Sequence, residues 1–173
     1  SRVRLPDIRK GEYEGLQEKI QSPDWKPDFG PVKFQPTMGA TATGARNFLI
    51  AYNVNLNTAD KSKANTIASK IRTSGIVVKD DNGETVRDKN GIVQRIPGIF
   101  EKLQAAGWMY NEEIAQVSMN LLDYSVTGLH DVTEAIKLEA SKLGLEAVAG
   151  ELVGLVPLLS LIHISEPTRR YRI

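Results

Sequence analysis

Between Gly30 and Arg46 the chain reads "GPVKFQPTMGATATGAR", with glycines at 30, 39 and 44 and prolines at 31 and 36. Glycines let backbone approach a ligand closely, and prolines hold its path. The spacing Gly39 to Gly44 matches the first part of a phosphate-binding loop. The next two residues are Ala45 and Arg46, where that loop needs Lys and then Ser or Thr to hold phosphate and Mg²⁺. The stretch also leads into a predicted strand, so no helix dipole would face an anion. Nucleotide hydrolysis is therefore not supported. What the residue types do support is a cradle for a flat ligand, with Phe34 and Met38 supplying apolar contact. A rigid connector between two domains is the other reading, and composition leaves both open.

The other residues capable of chemistry are few. Cysteine is absent, which removes disulfides and thiolate catalysis, and with only two histidines a zinc cluster is not expected. His130 opens a predicted helix, and no nucleophile or carboxylate can be paired with it from sequence. His163 lies near the C-terminus. Arg46 is either an anion contact or a surface residue, and Trp25 and Trp108 are expected to pack. "DDNG" and "DKNG" offer oxygens but lack the full calcium-loop pattern, so they are read as turns.

Composition narrows the partners. The 173 residues are 41% hydrophobic and 25% charged, ordinary for a globular domain, and the formal net charge is +1. Without the arginine-rich residues 160–173 it is −1, which leaves no basic field for nucleic acid. The longest apolar run, about a dozen residues interrupted by Glu151 and Pro157, is too short to span a bilayer. A cytoplasmic location is the expectation.

The elements that must position these residues follow from periodicity. Leu16 and Ile20 suggest a helix starting after Pro6 and ending before Ser22-Pro23, weakened by Gly11 and Gly15. Asp24 to Gly44 is an ordered loop or linker. Phe48 to Asn57 alternates, with Phe48, Ile50, Tyr52, Val54 and Leu56 on one face and Asn53, Asn55 and Asn57 on the other, and predicts a strand. Asn57 or Thr58 is expected to cap a helix striped by Ala64, Ile67, Ala68 and Ile71, ending before Gly75. An exposed hairpin excursion follows over Ile76 to Gly98. Strands are predicted at Lys102 to Tyr110, Ala115 to Asp123 and Glu146 to Val156. A second helix covers about Leu129 to Leu143, begun by Thr127 or the Asp131/Glu134 pair.

From Phe48 onward the order is β-α-β-β-α-β. That makes the chain α+β, with a ferredoxin-like antiparallel sheet carrying both helices on one face, preceded by a partial N-terminal subdomain. Gln116, Ser118 and Asn120 share a parity, as do Asn53, Asn55 and Asn57. If their registers agree, the helix-free face is rich in amides, facing water, a second domain or a polar ligand. It lacks the stacking aromatics expected of an RNA-binding sheet.

Several ordered blocks carry a resemblance: "GEYEGLQEKI" (Gly11 to Ile20), Trp25 to Pro31, "GATATGARNFLIAYNVNL" (Gly39 to Leu56), "AQVSMNLLDYSVTGLH" (Ala115 to His130) and "ELVGLVPL" (Glu151 to Leu158). Together they closely resemble the glutamate formimidoyltransferase (formiminotransferase) family. That family moves a formimino group from N-formimino-L-glutamate to tetrahydrofolate in histidine breakdown, using two similar α/β subdomains around a folate-holding passage. The resemblance implies that residues 1–47 are the end of the first subdomain and 48–159 the second. It places the folate-binding segment on Gly30, Pro31, Val32, Lys33, Phe34, Gln35, Pro36, Thr37, Met38 and Gly39. Tetrahydrofolate would be an acceptor substrate, no metal is implied, and pairing of two copies is an expectation. The family's catalytic histidine belongs to an earlier region, and neither His130 nor His163 corresponds to it. The chain alone is therefore expected to be inactive, and no catalytic residue is assigned. The ending "SLIHISEPTRRYRI" departs from the family and resembles a translated sequencing adapter, so residues 160–173 are expected to be a non-native tail on a fragment. The competing reading is a noncatalytic ferredoxin-like binding or regulatory module.

Overall fold

Alternation of side chains organises the larger part of the protein. In a computed structural model, which describes Arg2 and residues 5–161, strand β1 (Ile50–Leu56) buries Ile50, Tyr52, Val54 and Leu56 on one side and leaves the residues between them partly exposed. It pairs antiparallel with β5 (Ala115–Leu121), which buries Ala115, Val117, Met119 and Leu121 on that same side. Strand β4 (Leu103–Met109) joins the outer edge of β5 and β6 (Ala147–Val153) the outer edge of β1, giving an antiparallel sheet in the order β4-β5-β1-β6. Strand β6, at the edge, is exposed over most of its length.

Two helices cover the apolar face. Helix α3 (Lys61–Ile71) turns Ala64, Ile67, Ala68 and Ile71 inward, and α4 (Leu129–Ser141) contributes Leu129, Val132, Ile136 and Ala140. These residues and the inward strand residues form one core. The sequence-based stripes were thus sound, but the caps fall elsewhere. Asp60, not Asn57 or Thr58, caps α3, its carboxylate accepting from the Ser62 amide at 2.8 Å. Asn57 instead accepts from the Glu146 amide at 2.8 Å, and Thr58 accepts from the Asp60 amide at 3.1 Å. Helix α4 begins after Gly128; the Thr127 hydroxyl donates to the Glu101 carbonyl oxygen and so is not its cap. Phe48 does not extend β1 inward: it precedes the first paired rung and is 80% exposed.

The excursion between α3 and β4 is more than one hairpin. Strands β2 (Ile76–Val77) and β3 (Arg95–Ile96) pair at its base, and isolated bridges join Lys79 to Thr85 and Arg87 to Val93 further out. "DDNG" and "DKNG" make the two turns: Asp80 accepts from the Asn82 and Glu84 amides, and Asp88 from those of Asn90 and Ile92. At the base Gly75 has φ +62°, and a Cβ there would lie 1.8 Å from the Ile96 carbonyl oxygen.

The chain divides into two compact units, Ser1–Arg46 and Asn47–Ile173. In the first, the single helix expected up to Ile20 is broken into α1 (Leu5–Arg9) and α2 (Leu16–Lys19). Gly11 and Glu12 take φ values of +87° and +46°, which no helix allows. The Gly15 amide then donates to the Gly11 carbonyl oxygen at 2.7 Å, with no room for a side chain at Gly15. A 3₁₀ turn follows at Pro23–Trp25. Among the described residues of this unit only Ile20 is a buried hydrophobe, so its order rests on polar ties. Arg2 donates to the Asp24 and Lys26 carbonyl oxygens and pairs with Asp28 at 2.7 Å. Lys19 donates to the carbonyl oxygens of Asp7, Ile8 and Lys10, with its ammonium 4.1 Å from the centre of the half-buried Trp25 ring. The expectation of a non-native tail falls mostly on residues 162–173, outside the described ones, as does His163. No described helix is long and apolar enough to cross a membrane.

Glu139 is the one buried acidic residue among those described. It pairs with Lys70 at 2.7 Å and Lys142 at 2.5 Å, and its hydrogen bonds to Lys142 and Lys70 hold its carboxyl below the usual glutamate range. A lowered folded-state pKa stabilises above the unfolded pKa and is lost as the pH falls through the folded one, so stability should decline on acidification below about pH 4.5. Urea denaturation of Glu139→Gln should show a weaker decline across that range. A second expectation concerns Gly75: Gly75→Ala should cost more than about 2 kcal/mol, and Gly83→Ala, where φ is also positive but space is open, nearer 1 kcal/mol.

Candidate functional site

The ten residues from Gly30 to Gly39 fold back over α2's approach. The Met38 and Gly39 amides donate to the Gln35 carbonyl oxygen at 3.2 and 2.8 Å, closing a turn. Tyr13 holds that turn: its hydroxyl donates to the Pro36 carbonyl oxygen at 2.7 Å, and its ring meets Phe34 with centroids 5.4 Å apart and planes tilted by 56°. Gly39 takes φ +63°, a conformation that favours glycine, and packs at van der Waals distance from the Tyr13 ring.

These ties frame an open concavity of about 940 Å³ within the first unit. Pro31, Lys33, Phe34, Gln35, Met38 and Gly39 line it, whereas Gly30, Val32, Pro36 and Thr37 do not. Tyr13, Trp25 and Phe29 add aromatic surface, and Phe29 and Met38 are almost fully exposed. Of the four cations on the wall, Arg2 is paired with Asp28 and Arg9 with Glu12, Lys19 is engaged by three carbonyl oxygens and the Trp25 ring, and Lys33 has no ion pair among the described residues. The arrangement can hold a flat, partly apolar molecule and offer one positive charge. Tyr13, Arg2 and Phe29 were not picked out from the sequence; Tyr13's place between Gly11 and Gly15 was the only local hint.

The second unit carries the other polar feature. The register sets Asn55 opposite Gln116, Asn53 opposite Ser118 and Ala51 opposite Asn120, so the amides expected on one face do share it. Trp108, Ala106 and Gln104 continue these rows on β4, and Ala149, Glu151 and Val153 on β6. Asn57 lies beyond the last rung and does not join them. Trp108 is not a packing residue: it is 58% exposed, with the Lys61 ammonium 4.9 Å from its ring centre. Asn53 donates to Glu151 at 3.3 Å. The Oδ1 of Asn55 and Oε1 of Gln116 are shielded from solvent and accept no hydrogen bond among the described residues. Such an unmet acceptor costs about 1–3 kcal/mol.

The remaining candidates do not assemble into a site. His130 sits half-buried in the first turn of α4 and makes no hydrogen bond among the described residues, although its charge helps lower the pKa of Glu134, an effect led by the hydrogen bond from Lys137. Arg46 is exposed. Among the described residues no group of three or more His, Asp or Glu is placed to hold a metal ion.

Family models match along the chain: residues 1–46 match the formiminotransferase domain, N-terminal subdomain, and residues 51–167 the formiminotransferase domain. The formimidoyltransferase-cyclodeaminase of Rattus norvegicus is 47% identical over 163 residues, 94% of this chain and 27% of that protein. The glutamate formimidoyltransferase of Streptococcus pyogenes is 37% identical over 166 residues, covering 95% and 48%. That of Thermoplasma acidophilum is 39% identical over 155 residues, covering 90% and 44%. The chain thus spans between 27% and 48% of the length of these relatives.

The Tyr13 contact makes a local prediction. In Tyr13→Phe, amide hydrogen exchange at Met38 and Gly39 should speed up by roughly fivefold, the loss of about 1 kcal/mol of local stability. Unchanged exchange would mean that the turn is held by something else.

Proposed function

Because the chain belongs to the formiminotransferase family, we propose that its Gly30–Gly39 segment forms the folate-side wall of a transferase that moves a formimino group from N-formimino-L-glutamate to tetrahydrofolate. The observation that supports this reading best is the concavity of the first unit. It has the volume of a small-molecule site, a wall of Phe34 and Met38 against which a flat bicyclic ring can lie, and Lys33 free to meet a carboxylate. In the transfer, the acceptor's secondary amine would bond to the formimino carbon and lose its proton to a base, and the bond from that carbon to the glutamate nitrogen would break as that nitrogen takes up a proton, releasing glutamate. His130 is not on this concavity, and the carboxylates that line it, Glu12 and Asp28, are paired with Arg9 and Arg2, so this chain would supply ligand contacts and not the proton transfer.

We read the second unit as ferredoxin-like, supported by its β-α-β-β-α-β order, its β4-β5-β1-β6 sheet and its one-sided helices. The boundary between the two compact units would then be the boundary between the subdomains.

Calorimetric titration of 5-formyltetrahydrofolate, a stable reduced folate, tests the proposal on this chain and on a version extended by the upstream region of a relative. Binding should weaken by about 1–3 kcal/mol in Phe34→Ala, the worth of a lost aromatic stack, and become less salt-dependent in Lys33→Ala. Formimino transfer should appear only in the extended version. Absence of binding in both would remove the folate assignment.

A further inference from the structure

We propose that Asn55 and Gln116 are an acceptor pair for an amidinium group, a planar cation with N–H donors on both sides of one carbon. The pair belongs to the sheet itself: the two residues are direct partners on the central strands and point to the helix-free side. Each leaves its side-chain oxygen without a donor among the described residues, and solvent does not reach either one. Gln116 is only 7% exposed. Buried carbonyl oxygens are normally satisfied, so two unmet acceptors on one rung call for donors from outside the chain. Rotation about the last side-chain torsion, which is soft in Asn and Gln, turns both oxygens toward such a donor.

The surroundings favour a cation and a flat one. Among the twelve paired positions of this face Glu151 is the only charged side chain. Trp108 occupies the same row, next to Gln116, and is well exposed. Its ring already carries the Lys61 ammonium 4.9 Å from its centre, so a planar cation would use the same attraction by displacing Lys61 or by stacking on the opposite face. Two acceptors and an aromatic ring therefore share one rung, and the negative charge of Glu151, which accepts from Asn53, lies on the neighbouring same-face rung.

Naming the natural source rests on the transferase reading: the formimino group of N-formimino-glutamate is an amidine, protonated near neutral pH. The 2-amino-pyrimidinone edge of a folate has a similar N–C–N donor edge but no charge, so it makes a usable rival.

The test titrates ¹⁵N-labelled chain with formamidinium chloride, with 6-methylpterin, and with ammonium chloride at equal ionic strength, following the side-chain amide signals of Asn55 and Gln116. Formamidinium should move both signals saturably while ammonium does not. Gln116→Leu, which removes the unmet acceptor and keeps the bulk, should weaken that response roughly tenfold or more while melting at the same temperature or higher. The proposal falls if formamidinium leaves the signals unmoved, if 6-methylpterin moves them more strongly, or if Gln116→Leu binds as well as the parent. It also falls if Gln116→Leu and Asn55→Leu each lower the melting temperature and the double variant lowers it no further, because the amides then pair with each other. Failure of the folate reading looks different: 5-formyltetrahydrofolate would not perturb residues 30–39, with the formamidinium response intact.

Discussion

The pairing of β1 with β5 is the constraint on which the second unit depends. Six rungs, from Ile50 with Leu121 to Asn55 with Gln116, fix which side of every neighbouring residue faces the helices. Because side chains alternate strictly along a strand, a slip of one residue would turn Ile50, Val54 and Leu56 to the open face and bury the asparagines beneath α3 and α4. The same rungs carry β4 on one edge and β6 on the other, so the apolar core and the amide face are two outcomes of one register. Nothing comparable organises residues 1–46, where carbonyl-seeking cations, the Tyr13 hydroxyl and two close-packed glycines do the work that a core does elsewhere.

That difference explains what could be read from the sequence. Strand parity and helix stripes are local and periodic, and the residues they named as inward are the ones that form the core. The boundaries were harder, because they depend on partners. Phe48 continues the alternation perfectly, yet β5 pairs no further than Leu121 opposite Ile50, so there is no sheet for it to join. Asn57, Thr58 and Asp60 are all able to cap a helix; Asn57 is withdrawn from the choice by the amide of Glu146, 89 residues away. The polarity of the Trp108 position is likewise set across strands, not along its own.

In the candidate site the legible part was composition. Glycine, proline and aromatic content marked Gly30 to Arg46 as either a ligand cradle or a connector, and the bounds 30–39 came from the family resemblance; Tyr13, which joins the loop from 23 residues away, had no signal of its own. The helix stripe around Leu16 and Ile20 argued for a continuous helix, and it took the positive φ of Gly11 and Glu12 to bend Tyr13 toward the loop. Family membership adds what geometry cannot: it says that such a loop belongs to a formiminotransferase domain. It does not say which atoms of this chain meet a ligand, and there the unmet oxygens of Asn55 and Gln116 are the more direct physical clue.

The central register can be measured directly, because the chain has no native cysteine. A double variant, Asn53→Cys with Ser118→Cys, places two thiols on residues that face each other across the sheet, within the Cα separation of about 4.4–6.8 Å that a disulfide needs. Mild oxidation should close that bond rapidly, while Asn53→Cys with Val117→Cys, whose side chains lie on opposite faces, should stay reduced. Closure of the second pair and not the first would contradict the register, and with it both the core and the amide face.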